Sequence, residues 1–214
     1  MKQSQEKKKL RLAVGVSGGG RSLVNLLRQE SQHNYEVVFV FSSSPGARAN
    51  EVARSSGLPL LVEDFGLKNH PIAKPRLYEQ LRQHEVDLVV LAGFLKLFPV
   101  EQAWGGRIIN IHPALLPKFG GKGMHGINVH QAVLGAKENW SGATVHFVNE
   151  RYDEGELISQ VTIPVQENDS ADALAARVFA AECMLLPWTI DGLASGALPA
   201  TSVVMMPTVK ETLI

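Results

Sequence analysis

The strongest restriction on this chain's fold is the alternation of short apolar runs with stretches at helical spacing. Leu10–Val16 (LRLAVGV) lies between charge and glycine and reads as a buried strand. SGGGRS follows, and then Leu23, Leu26 and Leu27 recur as they would on a helix. Residues 35–41 (YEVVFVF) form a second strand, closed by Ser42, Ser43, Ser44, Pro45 and Gly46. A helix over about 48–55, a short strand at 58–62, a helix over 75–84 and a strand at 86–91 come next. Strands that alternate with helices imply an α/β fold with a mostly parallel central sheet and helices on both faces.

The later chain changes pattern. Residues 116–126 hold four glycines and little periodicity, as a mobile loop would, and a helix is predicted over 127–134. Residues 143–148 and 157–165 read as strands joined by NERYDEGE, close enough to pair antiparallel at the sheet edge. Asn168, Asp169 and Ser170 are N-cap candidates for a long helix with Leu174, Val178, Ala181 and Leu185 on one apolar face. An extended strap or a late strand is expected after Gly196. No repeat or linker divides the chain.

Lys plus Arg (21) equals Asp plus Glu (21), so the net charge is zero, which argues against a nucleic-acid or membrane-surface role. The basic cluster Lys7–Lys9 reads as a solvated tail, not a signal peptide, because no apolar core follows it. No window approaches the ~20 apolar residues of a membrane span. Cys183 is the only cysteine, which excludes an internal disulfide and predicts a buried, inert thiol in a reducing, cytoplasmic setting.

Chemistry concentrates in RIINIHPALLP, residues 107–117. Asn110 and His112 are two apart, so on a strand both side chains leave one face. Pro113 then ends the ladder. An amide beside an imidazole can stabilise an oxyanion and move a proton at one carbon. The plain alternative is a core strand with a structural histidine. The glycine loop GVSGGGRS misses the P-loop pattern at Arg21, and Leu23 breaks the dinucleotide pattern, so ATP and NAD are not expected. A single phosphate suits the backbone N–H groups of Gly19, Gly20, Arg21 and Ser22 at a helix start, although a ligand-free tight turn has the same signature. Asp153 lies in an acid-rich loop, where most carboxylates are solvated. His125, His130 and His146 raise a metal site, but His125 and His130 miss the i,i+4 spacing and no HExxH or cysteine cluster appears, so none is expected.

NIHPALLPKF, with LAGFLKLF upstream and SGATVHFVNERYDEGELI downstream, resembles the phosphoribosylglycinamide formyltransferases, folate-dependent enzymes of purine synthesis. The resemblance runs from about Leu10 to Gly196, and it implies a Rossmann-like fold and small-molecule substrates. It implies a catalytic domain over residues 10–196, between a basic tail (1–9) and a C-terminal extension (197–214). Asn110, His112 and Asp153 fall on the family's catalytic positions. The SGGGRS loop falls on its phosphate loop, and Glu182 on an acid that contacts the ribonucleotide. Phe94, Leu95, Lys96, Leu97 and Phe98, with Phe147, Val148 and Asn149, fall on the walls of the folate pocket. Three features depart from the family: Arg21-Ser22 replaces the usual Ser-Asn, the GGKGMHGIN loop is longer, and Phe179 stands where a polar residue near the phosphate is common.

The implied reaction moves a formyl group from 10-formyltetrahydrofolate, as co-substrate, to the amine of glycinamide ribonucleotide. Asn110 and a protonated His112 would hold the oxyanion, and Asp153 would keep His112 charged and help relay the proton through water. Methionyl-tRNA formyltransferases add a C-terminal domain and formyltetrahydrofolate hydrolases an N-terminal one, and neither is expected here. Transfer to a sugar-nucleotide amine, hydrolysis of the donor, or a decayed binding protein are the other readings. A monomer or homodimer is expected.

Overall fold

The computed structural model describes residues 9–197 and 204–206. Among them, β1 (Leu10–Val16), β2 (Tyr35–Ser42), β3 (Leu60–Val62), β4 (Leu88–Leu91), β5 (Ile108–His112), β6 (Trp140–Phe147), β7 (Leu157–Pro164) and β8 (Val204–Met206) build one sheet. The strand order is β3-β2-β1-β4-β5-β6-β7-β8. β1 to β5 pair in parallel, β6 runs antiparallel to both β5 and β7, and β8 is parallel to β7. The antiparallel pair expected at the sheet edge is therefore one strand inside it, because the chain returns after the last helix and adds β8. The basic tail and most of the C-terminal extension lie outside the described residues.

Among the described residues five α-helices cover the sheet: α1 (Arg21–Gln29), α2 (Ala49–Ser55), α3 (His70–Gln83), α4 (Ile127–Gly135) and α5 (Ala171–Ser195). They divide unequally. One apolar cluster joins Leu12, Val14, Ile109, Ile111 and Val145 to α1, α2, α4 and α5. The other joins Ala13, Val89 and Ile108 to α3 and an aromatic group of Phe39, Phe41, Phe65, Phe94 and Phe98. A register shift between Leu12 and Ala13 lets β2 take one extra residue against β1. That extra residue turns Phe39 to the α3 side although Val37 faces the other way.

α3 begins five positions before the predicted start at Pro75, which sits inside it. Pro71, in the first turn, loses nothing by lacking an N–H, and Pro75 removes only one bond, so the helix runs on. α5 is capped as its sequence suggests: the Ser170 hydroxyl accepts from the Ala173 N–H at 3.1 Å. Gly196 ends it at φ +66°. By length and composition α5 could cross a membrane, so the expectation that no stretch approaches a span fails for this helix. Its Leu174, Val178, Ala181, Leu185 and Ile190 are buried on the sheet, and it serves as the core helix.

Gly15 shows how tight the β1–β2–β4 contact is. A Cβ there would lie 2.5 Å from Cζ of Phe41 and 3.0 Å from Cδ2 of Leu91. Gly15→Ala should lower unfolding free energy by ~1–3 kcal/mol, the usual result of overpacking. Chemical denaturation measures this, and an unchanged midpoint would show that the Phe41 ring has room to move.

Candidate active site

Alternation along β5 sets the site. Ile109 and Ile111 belong to the core under α4 and α5, which leaves Asn110 and His112 on the opposite face at the carboxyl end of the parallel strands. In open α/β sheets that end is where ligands bind. Register then pairs Asn110 with His146 and His112 with Thr144 across the antiparallel β6. Thr144, fully buried, donates to the Ala114 carbonyl at 2.6 Å and accepts from the Leu116 N–H at 3.1 Å. Gln160 on β7 donates to the Thr144 hydroxyl at 2.9 Å and to the Leu116 carbonyl at 3.0 Å. These two side chains pin the turn that follows His112.

Asp153 reaches the same point from the β6–β7 loop. Its Oδ2 lies 3.5 Å from His112 Nδ1, and its Oδ1 lies 3.6 Å from His146 Nε2. The Asn110 amide N–H reaches Oδ1 at 3.4 Å, and the Gly121 N–H donates to Oδ2 at 2.9 Å. The residue has φ +56°, a left-handed conformation uncommon outside glycine and held by these contacts. The glycine-rich loop presses close over it: a Cβ on Gly120 would meet the Asp153 Cβ at 3.1 Å.

The three side chains expected at the site thus converge, and a fourth joins them. His146, considered above only as a metal ligand, donates from Nδ1 to the Phe147 carbonyl at 2.8 Å. That leaves its Nε2 to accept from Asn110 Nδ2 at 3.0 Å. Its place in SGATVHFV was visible in the sequence, but only the β5–β6 register put it opposite Asn110.

Electrostatics differ from the expectation at one point. Burial pushes the His112 imidazole below its usual value and outweighs the opposite pull of Asp153 and of the Phe119 carbonyl, while His146 lowers it further. The net balance disfavours the charged imidazole in the free protein, where the expectation has Asp153 keeping it charged. Its Nε2–H donates to the Phe119 carbonyl at 2.8 Å, so Nδ1 carries the lone pair and faces the carboxylate. Burial alone would raise the Asp153 carboxyl, but the His146 ring, His112 and the Gly121 N–H together hold it below the usual carboxylate range.

Around this centre the other expected residues spread out. Gly20, at φ +76°, precedes α1 with no side-chain cap, so first-turn N–H groups at Arg21 and Ser22 face outward unspent. A Cβ on Gly20 would stand 2.8 Å from that of Ala49, so the turn takes no other residue easily. Gly19 and Arg21 are exposed. Glu182, half-buried on α5, shares a crevice with Ser22 and Phe179, and burial pushes its carboxyl up to about 8 against the pull of Arg21. Cys183 is half-buried rather than buried, and burial pushes its thiol up to about 11, so the thiol stays protonated.

The expected folate walls are mixed. Phe94 and Phe98 are core rings, each within 6.1 Å of the other or of Phe41 and Phe65. Leu95, 46% exposed, with exposed Lys96 and half-buried Leu97, Phe147, Val148 and Asn149 remain to meet a ligand. His125 is exposed and His130 is buried on α4, and among the described residues no cluster of three or more histidine, cysteine or acidic side chains could hold a metal ion.

The formyl transferase family model matches residues 10–190, and the chain belongs to that family. A chloroplastic phosphoribosylglycinamide formyltransferase of Arabidopsis thaliana is 44% identical over 182 residues, 82% of this chain and 62% of that one. Its Vigna unguiculata counterpart is 43% identical over 86% of this chain and 60% of its own. The chain thus spans about three fifths of the length of these relatives. The crystal structure of the phosphoribosylglycinamide formyltransferase from Anaplasma phagocytophilum superposes with a TM-score of 0.80 at 31% identity, over 94% of this chain and all of the other.

The charge balance gives a directional test. Asp153 raises the His112 pKa, so Asp153→Asn should lower it further, as read by 15N NMR titration of the imidazole. A rise would mean the carboxylate does not act on that ring.

Proposed function

We propose that this protein transfers the formyl group of 10-formyltetrahydrofolate to the amine of glycinamide ribonucleotide. The observation that carries the reading is the meeting of Asn110, His112 and Asp153 around one largely buried point, with an uncapped glycine loop at the same end of the sheet. The names of the relatives support the same acceptor and the same transferred group. Spacing supports it too: a cavity of about 430 Å³ borders Leu97 and Phe98 and reaches Glu150, beside the segments assigned to the folate. The lone cysteine, Cys183, suits a reducing compartment, here the cytoplasm.

The steps follow from the donors and acceptors at hand. The acceptor amine attacks the formyl carbon, a C–N bond forms, and the carbonyl oxygen takes the electron pair. Asn110 turns the N–H that reaches Asp153 at a weak 3.4 Å toward that oxygen. His112, neutral at the outset, takes the amine proton on Nδ1, and Asp153 offsets the new positive charge. Collapse of the intermediate breaks the bond to the folate nitrogen, and the proton passes from His112 to that nitrogen. Arg21 and the α1 N-terminus hold the phosphate, and Glu182 takes a sugar hydroxyl.

Donor turnover measured with and without glycinamide ribonucleotide tests the assignment. Transfer requires turnover only with the amine, whereas turnover without it means hydrolysis and none means a binding protein. Asn110→Ala should reduce kcat by ~10²–10³ with the fold intact, the typical effect of losing one oxyanion donor. Near-normal turnover would remove Asn110 from the mechanism.

A further inference from the structure

Two departures from the family pattern, far apart in sequence, meet in space. Arg21, the first residue of α1, places its guanidinium 4.2 Å from the centre of the Phe179 ring on α5. α5 is locked against α1 there, because Asn25 and Gln29 both donate to the Cys183 carbonyl at 3.0 Å. The ring is therefore a fixed platform.

We propose that Phe179 is a positioning residue: its ring holds Arg21 flat beside the glycine loop, so that the guanidinium edge grips the acceptor's phosphate. The inference rests on the proposed ribonucleotide substrate. A guanidinium stacked by its face keeps its N–H donors at the edge, where they match two phosphate oxygens. Arg21 donates no side-chain hydrogen bond and forms no ion pair within 4.0 Å among the described residues, although the Glu182 carboxyl is near enough to feel its charge. Had Arg21 paired with Glu182, its donors would be spent. The stack keeps them available at the point where the first-turn N–H groups of α1 also await an anion.

A second observation points the same way. His130 is 4% exposed, and its Nδ1 has no hydrogen-bond partner among the described residues. It is near enough to His112 and to Arg21 for both to disfavour its charged form. A buried nitrogen left without a partner near both groups suits a hydrogen bond to the bound acceptor.

The test compares Phe179→Leu, Phe179→Tyr, Arg21→Ala and the double variant Arg21→Ala/Phe179→Leu. Phe179→Leu should raise KM for glycinamide ribonucleotide about 2- to 5-fold, the range of a solvent-exposed cation–π contact. It should leave kcat and the KM for the folate donor unchanged. Phe179→Tyr should restore KM, and the double variant should be no worse than Arg21→Ala alone. A Phe179→Leu enzyme with normal KM, or additive effects in the double variant, would overturn the positioning role. So would a fall in kcat with the ribonucleotide KM unmoved. If the unmodified protein does not use the ribonucleotide, the proposed function falls and takes this inference with it. If it does, a failure among the variants falls on Phe179 alone.

Discussion

The carboxylate of Asp153 is the constraint on which the rest of the site depends. A charge this buried is costly unless it is paired and hydrogen-bonded. Here the Gly121 N–H and the Asn110 amide donate to it, and the His112 and His146 rings stand 3.5 and 3.6 Å away, so that β5, β6 and the glycine-rich loop all meet it. The left-handed backbone at Asp153 and the close approach of Gly120 follow from the need to bring those stretches together. His112 is tuned by the same balance. Burial disfavours its charged form, while the carboxylate beside Nδ1 favours it.

The single reversed strand makes the arrangement possible. Five parallel strands bring the glycine loop, the 94–98 segment and the end of β5 to one rim. Ser17 ties two of these together: its N–H donates to the Gly93 carbonyl at 3.0 Å, and its hydroxyl accepts from the Leu95 N–H at 2.8 Å. β6 then enters antiparallel to β5 and presents His146 and Thr144 opposite Asn110 and His112. The loop after β6 delivers Asp153 back to that rim, so a short sequence separation suffices to close the site. α5 completes the other end by setting Phe179 and Glu182 against the start of α1.

Much of this was legible in the chain. Apolar runs located the main strands, and β1 was read to the residue. The period-two rule put Asn110 and His112 on one face, and the Ser170 cap and the Leu174, Val178, Ala181 and Leu185 stripe described α5 correctly. Errors fell where local signals were ambiguous. The helix predicted over 75–84 starts five residues earlier, because a first turn built around Pro71 tolerates a second proline inside the helix. Phe94 and Phe98, placed on a ligand wall by the resemblance, also pack into the aromatic cluster on the α3 side, a contact no local pattern announces.

Sequence by itself determined the α/β architecture, the pair Asn110 and His112 on one strand face, and the glycine turn before α1, because each depends on neighbours within a few residues. Tertiary structure alone decided the rest. The Asn110–His146 pairing depends on strand register, the lowered His112 pKa on burial, and the Arg21–Phe179 stack on how α1 meets α5. None of these has a local signature, since each arises from atoms that only packing brings within a few ångströms.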